Sequence, residues 1–114
     1  MIYEIRRYHI VPERFADYCL WARNHAVPYL RQHVDLVGFW LDNGMPSEVR
    51  GAPMDSLGSA NVTWIIAWRN VEQRNSALES LFSTPEWQAI FAKLPGGLDN
   101  YVRMESTFAE SVPC

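Results

Sequence analysis

Alternation of side chains opens the sequence. Across residues 2–11, Glu4, Arg6 and Tyr8 fall two apart, with Tyr3, Ile5 and His9 on the alternate positions. In a strand, spacing two means one face. The segment therefore predicts a β-strand with a carboxylate, a guanidinium and a phenol in a row. Such a row is costly to bury unless its members pair or do work. It is either a structural ion-pair ladder or the wall of a polar site. A strand beginning at residue 2 also predicts that no leader precedes it.

The period then changes. Pro12 suits a first helical position, and Glu13 favours the helix dipole. Phe15, Cys19, Ala22, Ala26, Leu30 and His33 recur at steps of three or four, which predicts a buried helical stripe. Tyr18, Trp21, His25 and Tyr29 run along its edge. Pro28 removes one backbone hydrogen bond and predicts a bend near Asn24. Residues 34–42 read as a second strand, ended by the turn signal Asn43-Gly44. Residues 44–60 have no useful period and are rich in Gly, Pro, Ser, Asp and Met. They predict a long loop of the kind that is often functional or mobile.

Residues 61–69 predict a third, strongly apolar strand carrying Trp64 and Trp68. Asn70 with Gln73 has the capping-box form, opening a helix through Leu78, Leu81 and Phe82. Thr84-Pro85-Glu86 restarts a helix whose apolar face is Trp87, Ile90, Phe91 and Leu94. Pro95-Gly96-Gly97 stops it. Residues 100–108 alternate as a fourth strand, and 109–114 predict a loose tail.

The order β-α-β-β-α-β predicts an α+β fold of ferredoxin-like form. Its four-stranded antiparallel sheet would run 4-1-3-2, with the helices on one face. One domain is expected over residues 1–114. The other sheet face carries apolar residues and needs a cover. Two such sheets packed face to face would make a dimeric α+β barrel, so a homodimer is expected.

Composition narrows the partners. The net charge is −3 with signs interspersed, and no basic stripe marks a nucleic-acid surface. No apolar run approaches the roughly 18 residues of a membrane span. Cys19 and Cys114 suggest no disulfide framework, and a cytoplasmic location is expected. Five Trp, five Tyr and five Phe are a heavy load for this length, favouring an interface or a ligand pocket as well as a core.

Three stretches resemble one family. Tyr3-Glu4-Ile5-Arg6-Arg7-Tyr8 is similar to the Tyr-Glu-Leu-Arg-x-Tyr opening of NIPSNAP proteins. Leu36-Val37-Gly38-Phe39-Trp40 resembles their second strand. Thr84-Pro85-Glu86-Trp87-Gln88, with Ala92-Lys93, resembles their late Pro-Glu-Trp motif. The resemblance implies a dimeric α+β barrel with a ferredoxin-like protomer. The wider superfamily holds cofactor-free monooxygenases, isomerases, cyclases, haem-type dehydratases and ligand binders, so the fold leaves the activity open. Where relatives often carry His-Leu-Trp in the third strand, this chain has Trp64-Ile65-Ile66. A role resting on that His does not transfer.

The candidate chemistry lies on two strands and one helix. Tyr101, Arg103 and Glu105 are expected to share a face of the fourth strand. Glu4 would then face Arg103, and Arg6 would face Glu105, as a cross-strand ladder. Alternatively the row floors a pocket in which Arg6 or Arg103 holds an anionic or enolate oxygen, with Tyr8 donating beside it. His25 is the best candidate for proton transfer. Tyr18, Trp21 and Tyr29 would stack an aromatic substrate near it, and Trp64 is a further ligand-binding candidate. His9 and His33 read as structural. No His, Cys or acidic spacing suggests a metal site, and no phosphate loop or nucleophile elbow is present, so no cofactor or metal is expected.

Three functions fit these residues. One is a cofactor-independent enzyme of monooxygenase, isomerase or cyclase type acting on a small apolar or aromatic carbonyl compound. There His25 would be the base, and Arg6 and Tyr8 would hold the oxyanion. Another is a non-catalytic ligand-binding dimer with Glu4, Tyr18, Trp21, Tyr29, Trp64 and Arg103 in its site. The last is a protein-interaction module using the 44–60 loop.

Overall fold

A computed structural model of the chain describes residues 1–113. Four strands, β1 (Ile2–Ile10), β2 (Asp35–Leu41), β3 (Val62–Trp68) and β4 (Tyr101–Ala109), form one antiparallel sheet in the order β2-β3-β1-β4. Read from its other edge this is 4-1-3-2, as the element order predicts. The helices are α1 (Phe15–Trp21), α2 (Val27–His33), α3 (Val71–Leu81) and α4 (Pro85–Phe91). They pack on one face of the sheet, giving the ferredoxin-like α+β arrangement. No helix of the described residues is long and apolar enough to cross a membrane.

The register fixes the two faces. Tyr8 pairs with Val62, Arg6 with Trp64, Glu4 with Ile66 and Ile2 with Trp68. Phe39 pairs with Trp64 and Leu41 with Val62. These side chains look toward the helices. Tyr8, Ile10, Val62, Trp64, Ile66 and Trp68 join Tyr18, Trp21, Ala22, Ala26, Tyr29 and Leu30 in one core. Each large apolar side chain so buried contributes roughly 1.5–3 kcal/mol. The polar row Glu4-Arg6-Tyr8 therefore runs under the helices, and Tyr3, Ile5, Arg7 and His9 line the open face.

Two irregularities reset the expected faces. A bulge in β4 lies opposite His9 and Ile10, where Ile10 pairs with Tyr101 but His9 pairs with Arg103. The extra residue, Val102, puts Tyr101 under the helices and sends Arg103 and Glu105 to the open face. The expected ladder is thus corrected: Glu4 stands opposite Phe108, and Arg6 stands opposite Ser106. In β2 a bulge between Leu36 and Gly38 leaves Val37 over. There the Trp40 ring lies so close over Gly38 that a Cβ would enter it.

The first helix is broken as its proline predicts. Between α1 and α2, Ala22–Ala26 form a π-turn closed by a bond from the Val27 N–H to the Ala22 carbonyl. The wider turn relieves the clash between the Pro28 ring and the carbonyl four residues back. Its extra residue shifts the cavity-facing positions from Tyr18 and Trp21 to Ala26 and Leu30. His25 drops out of the series. The aromatic edge, Tyr18, Trp21 and Tyr29, is fully buried, whereas Cys19 is only half-buried. Cys114 lies outside the described residues.

Side chains cap the N-termini of α3 and α4. Asn70 accepts from the Gln73 N–H and Thr84 from the Trp87 N–H, so both predicted caps form. No helix or strand occurs between Leu41 and Val62. The base of this loop is pinned where the Asn61 side chain bonds both backbone groups of Ile10 at 2.9 Å.

Candidate functional site

The sheet and helices do not meet everywhere. Between them lies a cavity of about 300 Å³. Arg6, Tyr8, Phe39, Trp64 and Tyr101 form its sheet side. Tyr18, Trp21, Ala26 and Leu30 face them, and Phe82, Trp87 and Phe91 close the flank. Leu98 and Met104 also line it, and both are more than half exposed, which places them at its mouth. Tyr8 meets Tyr101 edge-on at 5.5 Å between ring centres, and Tyr101 meets Tyr18 at 5.9 Å.

One polar chain reaches this apolar space. Arg6 Nε donates to the Tyr8 hydroxyl at 2.8 Å, and Arg6 Nη1 donates to Glu4 Oε2 at 2.7 Å. Behind Arg6, Glu4 has no exposed surface. Its Oε1 accepts from Trp68 Nε1 and Arg74 Nε, each at 3.0 Å, and its Oε2 accepts from Arg74 Nη2 at 3.2 Å. Arg74, on α3, also lies over the Phe108 ring. The Arg6 guanidinium sits 5.2 Å from the centre of the Trp64 ring, a cation–π contact at the cavity wall.

The ionisation states follow. Burial pushes the Glu4 carboxyl up, but hydrogen bonds from Arg74 and Trp68 and the charges of Arg6 and Arg74 outweigh it, so its pKa is lowered. Burial pushes the Tyr18 phenol well up, reinforced by Tyr101 and Tyr8. Burial raises Tyr101 as well. Both phenols stay neutral and keep a proton to donate. The indole N–H of Trp64 is buried with no acceptor among the described residues.

The expected site residues separate into three groups. Arg6, Tyr8, Tyr18, Trp21 and Trp64 line the cavity. Glu4 and Tyr29 stand behind its wall. Tyr29 donates to the Leu81 carbonyl at 2.5 Å and meets Thr84 Oγ1 at 2.8 Å. His25 and Arg103 lie elsewhere. His25 is a half-buried residue of the π-turn outside the cavity lining, and Arg103 pairs on the open face with Asp55 at 3.0 Å, tying the 44–60 loop to β4. Trp87 and Phe91 read in the sequence as an apolar helix face and Phe82 as part of the preceding helix, Phe39 only as part of the second strand, and Arg74 gave no signal as a partner of Glu4.

Chemically the cavity is a donor set in an aromatic box. Arg6, the phenols and Trp64 can hold an oxygen. None of the described residues lining it is a His, Asp, Glu, Lys or Cys, so none is a ready base at neutral pH.

An α+β sandwich of this topology with a ligand-sized pocket between its layers belongs to the ferredoxin-like class. The NIPSNAP sequence profile matches residues 3–113, and the chain belongs to that family. The fold is similar to a NIPSNAP domain protein from Burkholderia xenovorans, at 20% identity and TM-score 0.72, covering 98% of this chain and 95% of that one. It is similar to a NIPSNAP family protein of unknown function from Agrobacterium tumefaciens, at 22% identity and TM-score 0.70, covering 96% and 86%. An antibiotic biosynthesis monooxygenase shares the fold more loosely, at 17% identity and TM-score 0.58, covering 99% and 100%. At these identities the likeness is one of fold. No curated protein matches the chain.

Proposed function

We propose that this chain handles a small apolar or aromatic compound and holds its carbonyl oxygen with Arg6 and Tyr8. One observation carries the reading: the Arg6–Tyr8 pair, joined at 2.8 Å, lies on the wall of an otherwise apolar cavity. Charge that develops on an oxygen there meets a fixed cation and a fixed hydroxyl in a water-poor space, where such contacts are strongest. Tyr18, Trp21 and Trp64 supply stacking surface. The reaction type that this equipment serves is oxygenation or isomerisation through an enolate or phenolate, and it requires no cofactor to stabilise that anion. The fold likeness to a monooxygenase supports the oxygenase branch. His25 has no part in this reading.

A non-catalytic role is favoured by a specific feature, the lack of a ready base in the cavity lining. Oxygen uptake and product mass spectra on a panel of cyclic diketones and polycyclic phenols separate the two. The enzyme reading predicts turnover that falls about a hundred-fold in Arg6→Met, the loss typical of an oxyanion donor. Binding without turnover favours the non-catalytic role. Neither binding nor turnover across the panel defeats both.

We infer that a second copy covers the open sheet face. Val37 and Trp40 are each about half exposed there, beside Ile5 and Ile65. Native mass spectrometry is expected to give twice the 13.2 kDa chain mass. A monomer would mean that the face is covered otherwise.

A further inference from the structure

We propose that the cavity takes its ligand as a monoanion, an apolar mono- or bicyclic acid whose carboxylate is held by Arg6, Tyr8 and the indole N–H of Trp64. This rests on the reading of the cavity as a ligand site and names the ligand's class.

The first argument is a charge count. Glu4 carries one negative charge and pairs with two cations, Arg6 and Arg74. The cluster is left with one positive charge in excess. Arg6 and Arg74 are only 14% and 26% exposed, so water screens that excess weakly. No described carboxylate lines the cavity to balance it. A bound anion beside Arg6 completes the neutral set.

The second argument is the donor inventory. Arg6 has spent Nε on Tyr8 and one Nη1 proton on Glu4, and no described acceptor engages its Nη2. The Tyr8 oxygen accepts from Arg6, which leaves the phenol proton free to donate. Trp64 is 2% exposed, lines the cavity, and has no acceptor for its N–H. A buried donor without a partner is a standing cost that an acceptor on the ligand would relieve. Three kinds of donor gather on this side of the cavity, with only phenol oxygens to accept. A planar carboxylate offers two oxygens and one charge, which matches the set. A phosphate dianion asks for a second free cation that the cavity lacks.

The third argument is the walls. Beyond Arg6 the lining is aromatic and aliphatic, so the rest of the ligand is apolar. The cavity volume, about 300 Å³, suits a body of one or two rings.

The test is isothermal titration calorimetry with 2-naphthoate and its neutral isostere 2-naphthamide. Wild-type protein is expected to prefer the naphthoate by about ten-fold or more, as a charge-assisted pair requires. Arg6→Met should erase the preference while the amide still binds. Trp64→Phe keeps the ring and should weaken naphthoate several-fold. Arg74→Gln changes no cavity residue but removes the excess charge, and it should weaken naphthoate and spare the amide. If Arg6→Met does not fold, these two variants carry the test. Equal affinity of acid and amide for the wild type would overturn the anion proposal and leave the ligand site standing. Failure of both probes to bind would overturn the cavity reading itself. A preference that survives in both Arg6→Met and Arg74→Gln would overturn the assignment to this cluster.

Discussion

Glu4 and Arg6 stand two residues apart on β1 and meet through Oε2 and Nη1 at 2.7 Å. The contact joins a sealed carboxylate to the wall of the cavity. It leaves Arg6 free to turn its remaining N–H groups toward a ligand. Removing the charge of Glu4 would leave Arg6 and Arg74 unbalanced under the helices. Glu4→Gln is expected to lower unfolding free energy by about 3 kcal/mol, measured by urea denaturation. A loss below about 0.5 kcal/mol would mean that the cluster is well solvated.

The same carboxyl sets an acid response. Its pKa in the fold lies below the ordinary value near 4.5. The unfolded chain therefore takes up a proton first as pH falls. Stability from Glu4 is fully present above the unfolded pKa and is lost as pH falls through the lower folded one. Melting curves should show stability declining below about pH 4.5, with a shallower decline in Glu4→Gln. Parallel declines in the two proteins would contradict the assignment.

Tyr29 and Thr84 share a second junction. Thr84 Oγ1 caps α4 by accepting from the Trp87 N–H at 3.0 Å, and it also meets the Tyr29 hydroxyl. Tyr29→Phe leaves the Leu81 carbonyl without that donor, and Thr84→Ala removes the cap. Each is expected to cost about 1–2 kcal/mol in chemical denaturation. The double variant should cost less than the sum, because the two changes delete one shared contact. Full additivity would mean that the hydroxyl and the cap act independently.

His25 is predicted to be dispensable. It lies within the π-turn and outside the cavity lining. His25→Ala should leave ligand affinity within about two-fold of wild type, as expected of a site without shared partners. A loss of ten-fold or more, about 1.4 kcal/mol, would return it to the site.

The strand order, the helix caps and the loop of residues 44–60 were legible because each rests on local chemistry. Period two, period three to four and the Asn70 and Thr84 caps all act within a few residues. The misplacements come from single-residue slips. Val102 carries no glycine or proline to announce a bulge, yet its insertion moves Arg103 and Glu105 to the other face. Pro28 announced a bend, but whether the relief would be a kink or a π-turn depends on packing against the sheet. His25, read along the Tyr18–Trp21–Tyr29 edge, is thereby left outside the cavity lining. Arg74 was invisible as a partner of Glu4 because the two meet only through the tertiary packing of α3 on β1 and β3. Trp87 and Phe91 were read correctly as apolar, but no pattern separates a residue that fills a core from one that borders a void.

The five tryptophans make the most direct test of the central claim, that the cavity under the helices is the ligand site. Trp21, Trp64 and Trp87 line it, Trp40 lies on the open face, and Trp68 is bonded to Glu4 behind the wall. A proton–nitrogen correlation spectrum resolves one indole signal for each. On titration with 2-naphthoate, the account predicts the largest shift at Trp64, whose N–H gains an acceptor, with smaller shifts at Trp21 and Trp87 and little change at Trp40. Shifts confined to Trp40, or an unmoved Trp64 signal in ligand-saturated protein, would contradict it.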